Sequence, residues 1–343
     1  MLTKSKWLVS VIGVFLAAVA LAATGPGDHV ITTYKVGGDG GWDYLTADSE
    51  ARRVYISRGT HVMVIDADSG KSVGDIADTP GVHGIALAAE LGRGFVSNGQ
   101  EGTVSIFDMK TLATSSKVKV GDNPDAILYD PATKRVFTFN GRSHDSTAID
   151  AMSGKVLGTI PLDGKPEFAA SDAKGEIFVN IEDKSELTAI DSHKLEVKST
   201  WPLAPCTEPS GLSIDRKNRR LFVGCNNKMM AVVDADSGKV IATPSIGEGV
   251  DATTFDPKTE LAFASCGADG VLTIIHEESK DKFTVAENVP TQKGARTLAL
   301  DSKTHNVFVV TAQFGPRPAP TADNPRPRPP IVADSFVVLV VGK

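Results

Sequence analysis

Cysteine is scarce: three residues in 343, at Cys206, Cys225 and Cys266. None sits in a C-x-x-C pair or at a His/Cys zinc spacing, and without C-x-x-C-H no covalently attached haem is carried. An excess of positive charge is also missing. Lys and Arg number 36 against 42 Asp and Glu, a formal charge of −6, and no basic stripe interleaved with aromatics occurs. Such a chain has no non-specific grip on nucleic acid or anionic lipid, so neither is expected as a partner. Nucleophile-elbow, phosphate-loop, H-E-x-x-H and dinucleotide signatures are absent as well.

One apolar run stands at the beginning, "MLTKSKWLVSVIGVFLAAVALAATGPGD". Lys4 and Lys6 precede a stretch from Trp7 to about Ala20, and Ala20-Leu21-Ala22 offers the small residues that signal peptidase prefers. The stretch is short for a membrane span, and Gly25-Pro26-Gly27 break any helix beyond it. Residues 1–22 are therefore expected to be a cleaved secretory signal. The product, 23–343, is expected to be periplasmic or secreted, with no membrane span, and monomeric. Losing Lys4 and Lys6 takes the charge from −6 to −8.

What the sequence has in abundance is a repeat. "DADSGK" stands at 66–71 and again at 234–239, with "DAMSGK" at 150–155 midway. Related turns begin at Asp108, Asp191 and His276, so the successive spacings are 42, 42, 41, 43 and 42. Asp-x-Asp-x-Gly also opens calcium loops, but such a loop needs a Glu at its twelfth position. Ala77 and Ser245 stand there instead. A strand-linking turn is the better reading, since Asp and Ser satisfy local N–H groups and Gly accepts positive φ.

A second series, Asp48, Ala88, Asp130, Asp172, Asp215, Asp256 and Asp301, marks a tight turn between two strand-like runs in each of seven units. A period near 42 with four strands per unit predicts an all-β, seven-bladed β-propeller forming one domain. The seventh unit lacks a fourth strand. "HVITTYKV" (29–36) is expected to pair with the C-terminal strand in "SFVVLVV" (335–341), closing the ring and removing an edge. Between the second and third strands of that unit lies "GPRPAPTADNPRPRPP" (315–330), whose seven prolines stiffen it toward polyproline II. It is either a lid or docking arm on the face of the blade-joining loops, made basic by Arg317, Arg326 and Arg328, or a decorated surface loop.

Aligning the inner-strand starts gives one residue per blade at the channel mouth: Asp43, His83, Asp125, Glu167, Ser210, Asp251 and Arg296. Four carboxylates and a His around one space suit a ligand, a hard divalent cation or an acid–base pair; solvated rim residues are the plain alternative. For a cation, Asp43, His83, Glu167 and Asp251 are the expected ligands. Arg142, His144 and Lys228, on loops after second strands, could reach the same funnel. Cys206–Cys225, within one unit, is the expected disulfide and Cys266 the free thiol, with a reactive thiol as the alternative.

Segments such as "VMVIDADSGKSVGDI" (62–76), "PDAILYD" (124–130), "PSGLSIDRKNRRLFVGCNNKMMAVVDADSGKVIAT" (209–243) and "GVDATTFDPKTELAFASCGADG" (249–270) resemble the YVTN-type β-propeller family, specifically its exported YncE-like group. The resemblance covers nearly all of the chain beyond the leader and implies the propeller fold, while related propellers serve as lactonases, quinoprotein subunits and nitrite-reductase accessory proteins. A non-enzymatic ligand-binding or protein-interaction scaffold working through the channel-mouth face is the leading expectation. A metal-dependent lactonase-like hydrolase and a redox accessory protein are the alternatives.

Overall fold

In the computed structural model the described residues are 27–38, 40–321, 325 and 327–343. The leader expected at 1–22 and Arg326 of the proline-rich segment lie outside them. The described residues form seven four-stranded antiparallel sheets with no α-helix. Six blades use consecutive strands, from Leu45–Asp48 through Ser72–Ile76 in blade 1 to Val250–Asp256 through Lys282–Pro290 in blade 6. Blade 7 joins Leu298–Leu300, Val307–Thr311 and Val337–Gly342 to His29–Lys35. That last pairing runs from His29 opposite Gly342 to Lys35 opposite Val337, which closes the ring as the repeat predicts.

The repeated turns are held by their own side chains. In "DADSGK", Asp66 Oδ1 accepts from the Ser69 N–H at 2.8 Å and its hydroxyl at 2.6 Å. Asp150 with Ser153, and Asp234 with Ser237, repeat both bonds. Gly70, Gly154 and Gly238 follow at φ near +70°. An outer-strand aromatic of the preceding blade lies on two of them: a Cβ at Gly238 would come within 2.0 Å of Trp201, and one at Gly70 within 2.2 Å of Tyr34.

The apolar core is not inside any blade. Seven buried clusters fill the seven blade–blade interfaces, for example Tyr55, Val62 and Val64 of blade 1 with Val82, Ile85 and Val96 of blade 2. Blade 7 and blade 1 share the cluster of Phe308, Val310, Phe336, Val54 and Ile56. Each sheet thus buries both faces only against its neighbours, so the interfaces stabilise one another only in a closed ring. In blade 5 Cys206 and Cys225 are disulfide-bonded, while Cys266 is a buried free thiol.

Candidate functional site

Inner strands enter the sheet irregularly at the mouth. In blades 2 to 6 the first paired residue is followed by a shift of register, as between Val82 and Ile85 or Pro124 and Ile127. His83, Asp125, Glu167, Ser210 and Asp251 each come directly after that first residue, inside the irregularity. Bulged backbone re-aims a side chain out of the pleat, which is how a strand otherwise committed to the core offers one polar group to the channel. Small polar residues of the preceding blade then hold these segments. Ser97 Oγ donates to the Asp125 carbonyl at 2.6 Å, and Asn180 Nδ2 to that of Ser210 at 2.8 Å.

The mouth is a cup of about 720 Å³ lined by Trp42, Asp43, Tyr44, His83, Asp125, Glu167, Glu182, Asp251 and Arg296. Its rim includes Phe314, Arg328, Pro329 and Ile331 from the base of the proline-rich segment. That base is pinned by Gly315 N–H donating to the Pro330 carbonyl at 2.8 Å and Val332 N–H to that of Gln313 at 2.9 Å. An aromatic pair crosses the ring: Tyr44 of blade 1, a residue of the cup lining, stacks on Phe168 of blade 4 with ring centroids 4.5 Å apart.

Of the residues expected at the mouth, three come together. Asp43 Oδ2 lies 2.6 Å from His83 Nδ1, Asp125 Oδ1 lies 3.7 Å from the same nitrogen, and donor atoms of all three lie within 4.8 Å of one another. The His83 ring lies close over Gly99, where a Cβ would meet Nε2 and Cδ2 at 2.7 Å. Glu167 and Asp251 are drawn aside. Lys165 Nζ sits 2.6 Å from Glu167 and also contacts Glu182. Asp251 pairs with Arg296, which donates to the Trp42 carbonyl at 3.2 Å and approaches Asp43 at 3.8 Å. Ser210 Oγ turns into the blade joint, donating to the Asp251 carbonyl at 2.9 Å. The cation set read from sequence, Asp43, His83, Glu167 and Asp251, thus differs from the gathered set in having Glu167 and Asp251 where Asp125 stands. Arg142, His144 and Lys228 are not among the cup residues; Lys228 pairs with Glu248 at 2.7 Å.

Crowding sets the protonation. Burial raises Asp125, helped by Asp43 and opposed by His83. Burial raises Glu167 too, with the Asp125 charge adding to it. Burial also lifts Asp251, against Arg296. For His83 burial acts downward, but the Asp43 hydrogen bond and the Asp125 charge raise it on balance. Lys165 and Glu167 both move up although they are paired. Lys165 is held by two carboxylates, whereas Glu167 faces burial and Asp125, so Glu167 is the member of the pair that takes up a proton. The Tyr44 hydroxyl is raised by burial and by Asp125, Glu167, Asp43 and Asp251, and it is fully covered with no hydrogen-bond partner among the described residues.

Six of the seven residues aligned from the blades, all but Ser210, line the cup, and the alignment missed Tyr44, Phe168, Lys165, Glu182 and Trp42. Trp42 and Tyr44 flank Asp43 in "WDYL", so their place beside a mouth residue was a readable signal. Nothing in the sequence pairs Tyr44 with Phe168, which are three blades apart.

No family model matches the chain. Two curated proteins, each described as "Uncharacterized protein YncE", from Salmonella typhi and Salmonella typhimurium, are 21% identical over 192 residues, 54% of this chain and 54% of theirs. The chain spans about half the length of the curated relatives it matches. Among solved structures it is similar to a chain of Kuenenia stuttgartiensis hydrazine synthase (TM-score 0.68, 16% identity, 80% of this chain and 94% of that one). It is also similar to a chain of the mitotic checkpoint complex (0.74, 13%, 99% of both) and to U3-55K (0.74, 8%, 91% and 99%). At such identities the structures speak for the fold alone. Together with the weak YncE similarity, the seven blades support a YncE-like propeller repeat family.

Proposed function

We propose that this protein is an exported propeller that binds a cationic ligand in the cup at its channel mouth. One observation carries the reading: five carboxylates, Asp43, Asp125, Glu167, Glu182 and Asp251, line the cup against two arginines, Arg296 and Arg328, and the one ammonium of Lys165 that Glu167 and Glu182 share. Buried like charges raise one another's pKa until a cation relieves them. A cation bound there gains Coulomb energy in a partly desolvated space, and the lining includes the aromatic residues Trp42 and Phe314, a residue type that attracts alkylammonium ions. Export is supported by the leader-like N-terminus and by the Cys206–Cys225 disulfide, a bond of oxidising compartments. N-terminal sequencing of the protein recovered outside the cytoplasm tests it, with Ala23 as the expected first residue.

Calorimetric titration of EDTA-treated protein with butylammonium, and with butanoate as its charge-reversed control, tests the cup. Ammonium binding weakened at least about tenfold in an Asp125→Asn/Glu167→Gln variant is expected. Equal binding of butanoate, or no effect of the variant, overturns the reading.

A second reading, a lactonase-like hydrolase, is favoured by one observation. The carboxyl of Glu167 is raised toward neutrality beside Asp125, the arrangement of a general acid next to a base. Lactone hydrolysis abolished by Glu167→Gln with folding intact would select it; no turnover of any lactone by the parent protein removes it.

A further inference from the structure

We infer that Asp43, His83 and Asp125 form a site for one divalent transition-metal ion of the Zn²⁺ type, on one side of the channel-mouth cup. This rests on the cation reading above and narrows it to three residues from the first three blades.

The geometry is already close. In a tetrahedral site with bonds of ~2.1 Å, donor atoms stand about 3.4 Å apart. His83 Nδ1 lies 2.6 Å from Asp43 Oδ2 and 3.7 Å from Asp125 Oδ1, so the first pair must open and the second close by less than an ångström each. The remaining separations stay within 4.8 Å, inside the reach of carboxylate rotation. The ring lies over Gly99, whose missing Cβ lets imidazole sit with Nδ1 toward the two carboxylates.

The donor set selects the kind of ion. One imidazole nitrogen and two carboxylate oxygens suit Zn²⁺ or a neighbouring transition ion, whereas Ca²⁺ takes six to eight oxygens, which these three residues do not supply. Two monoanionic carboxylates neutralise the ion's charge, and a three-ligand set leaves a fourth position facing the cup.

A second, independent feature points the same way. The Tyr44 hydroxyl, on the residue that follows Asp43 and in the lining of the same cup, is buried with no hydrogen-bond partner among the described residues. A buried hydroxyl left unpaired costs free energy.

Glu167 and Asp251 are excluded by their partners. Lys165 holds the first and Arg296 the second, and moving either onto a metal would strand a cation.

The test uses the whole propeller without any histidine tag, stripped with EDTA and dialysed against Zn²⁺, with bound metal measured by elemental analysis. About one Zn²⁺ per chain is expected, weakened at least about tenfold in His83→Gln and in Asp125→Asn and kept in Glu167→Gln. Co²⁺ in the same protein should show the visible absorption of a four-coordinate ion, lost in His83→Gln, and a tenfold excess of Ca²⁺ should not displace Zn²⁺. Melting of each stripped variant beside the stripped parent separates loss of the site from loss of the fold. No Zn²⁺ bound to the parent, or Zn²⁺ kept by both ligand variants, overturns the site. Butylammonium binding is measured on stripped protein, so a protein that takes ammonium but no Zn²⁺ refutes this inference and leaves the cup reading standing.

Discussion

On the face opposite the cup, Glu277 should make the ring lose stability as pH rises. Elsewhere on this face a carboxylate of one blade receives donors from the next: Asp130 accepts Ser171 Oγ and Ser192 Oγ, both at 2.8 Å. Ser192 follows the third strand of blade 4, and its counterpart in blade 6 is Glu277, set against Asp215 of blade 5. Both carboxyls are buried, 2% and 3% exposed. Asn218 Nδ2 donates to Glu277 Oε1 at 2.9 Å, while Oε2 has no partner unless it carries a proton for Asp215. Burial first, and the Asp215 charge second, push Glu277 from 4.5 up to about 7 against Arg220.

A carboxyl raised in the folded state binds more protons there than in the unfolded chain. Its stabilising protonation is complete below pH 4.5 and is lost as pH rises through about 7. At ~1.4 kcal/mol per pH unit the whole span is worth roughly 3 kcal/mol. Exposed Glu278 is adjacent, so water one layer away moderates this, and about 1 to 3 kcal/mol is expected. Glu277→Gln supplies a permanent donor to Asp215. Urea unfolding of parent and variant at pH 5, 6, 7 and 8 should give a variant that gains on the parent by that amount across the series, with unchanged m-values. Taking the difference cancels the titrating groups that do not interact with Glu277. A difference that stays flat with pH refutes the shared-proton arrangement.

Gly238→Ala combines positive φ with a Cβ 2.0 Å from Trp201 and should cost about 2 to 4 kcal/mol, read as a lower urea midpoint; a cost under about 1 kcal/mol would mean that Trp201 moves freely aside. Removing residues 28–35 strips the outer strand from blade 7 and a ladder spanning His29 to Lys35. At about 0.5–1.5 kcal/mol per hydrogen bond this lowers the single melting transition of the whole ring by at least about 3 kcal/mol, and mere fraying of one edge would contradict closure. Reducing Cys206–Cys225, which closes a loop with separation 19, should cost about 3 kcal/mol in urea unfolding, with no change there arguing that the loop is held by packing alone. Tyr44→Ala removes the ring stacked on Phe168 and should cost about 2 to 4 kcal/mol; unchanged melting would show that the stack does not brace the ring.

The amino-acid sequence by itself determined the blades, their number and their turns. A 42-residue period, Asp-led turns and alternating apolar strands are local features, and each blade repeats the same local chemistry. Aligned strand starts, which need no knowledge of how the strands bend, also named six of the residues that line the cup, and the repeat named the missing fourth strand of blade 7, since a propeller leaves few edges open. Only the tertiary structure decided which mouth residues meet. Asp43, His83 and Asp125 stand on consecutive blades, yet so do Asp125 and Glu167, and it is Lys165, shared with Glu182, that draws Glu167 away. Arg296 takes Asp251 in the same manner. The Tyr44–Phe168 stack and the Asp215–Glu277 contact likewise join residues far apart in the chain, the first across the channel and the second across a blade interface. Their partners are set by the diameter of the closed ring and by competition among neighbouring charges, and neither is written in any one repeat.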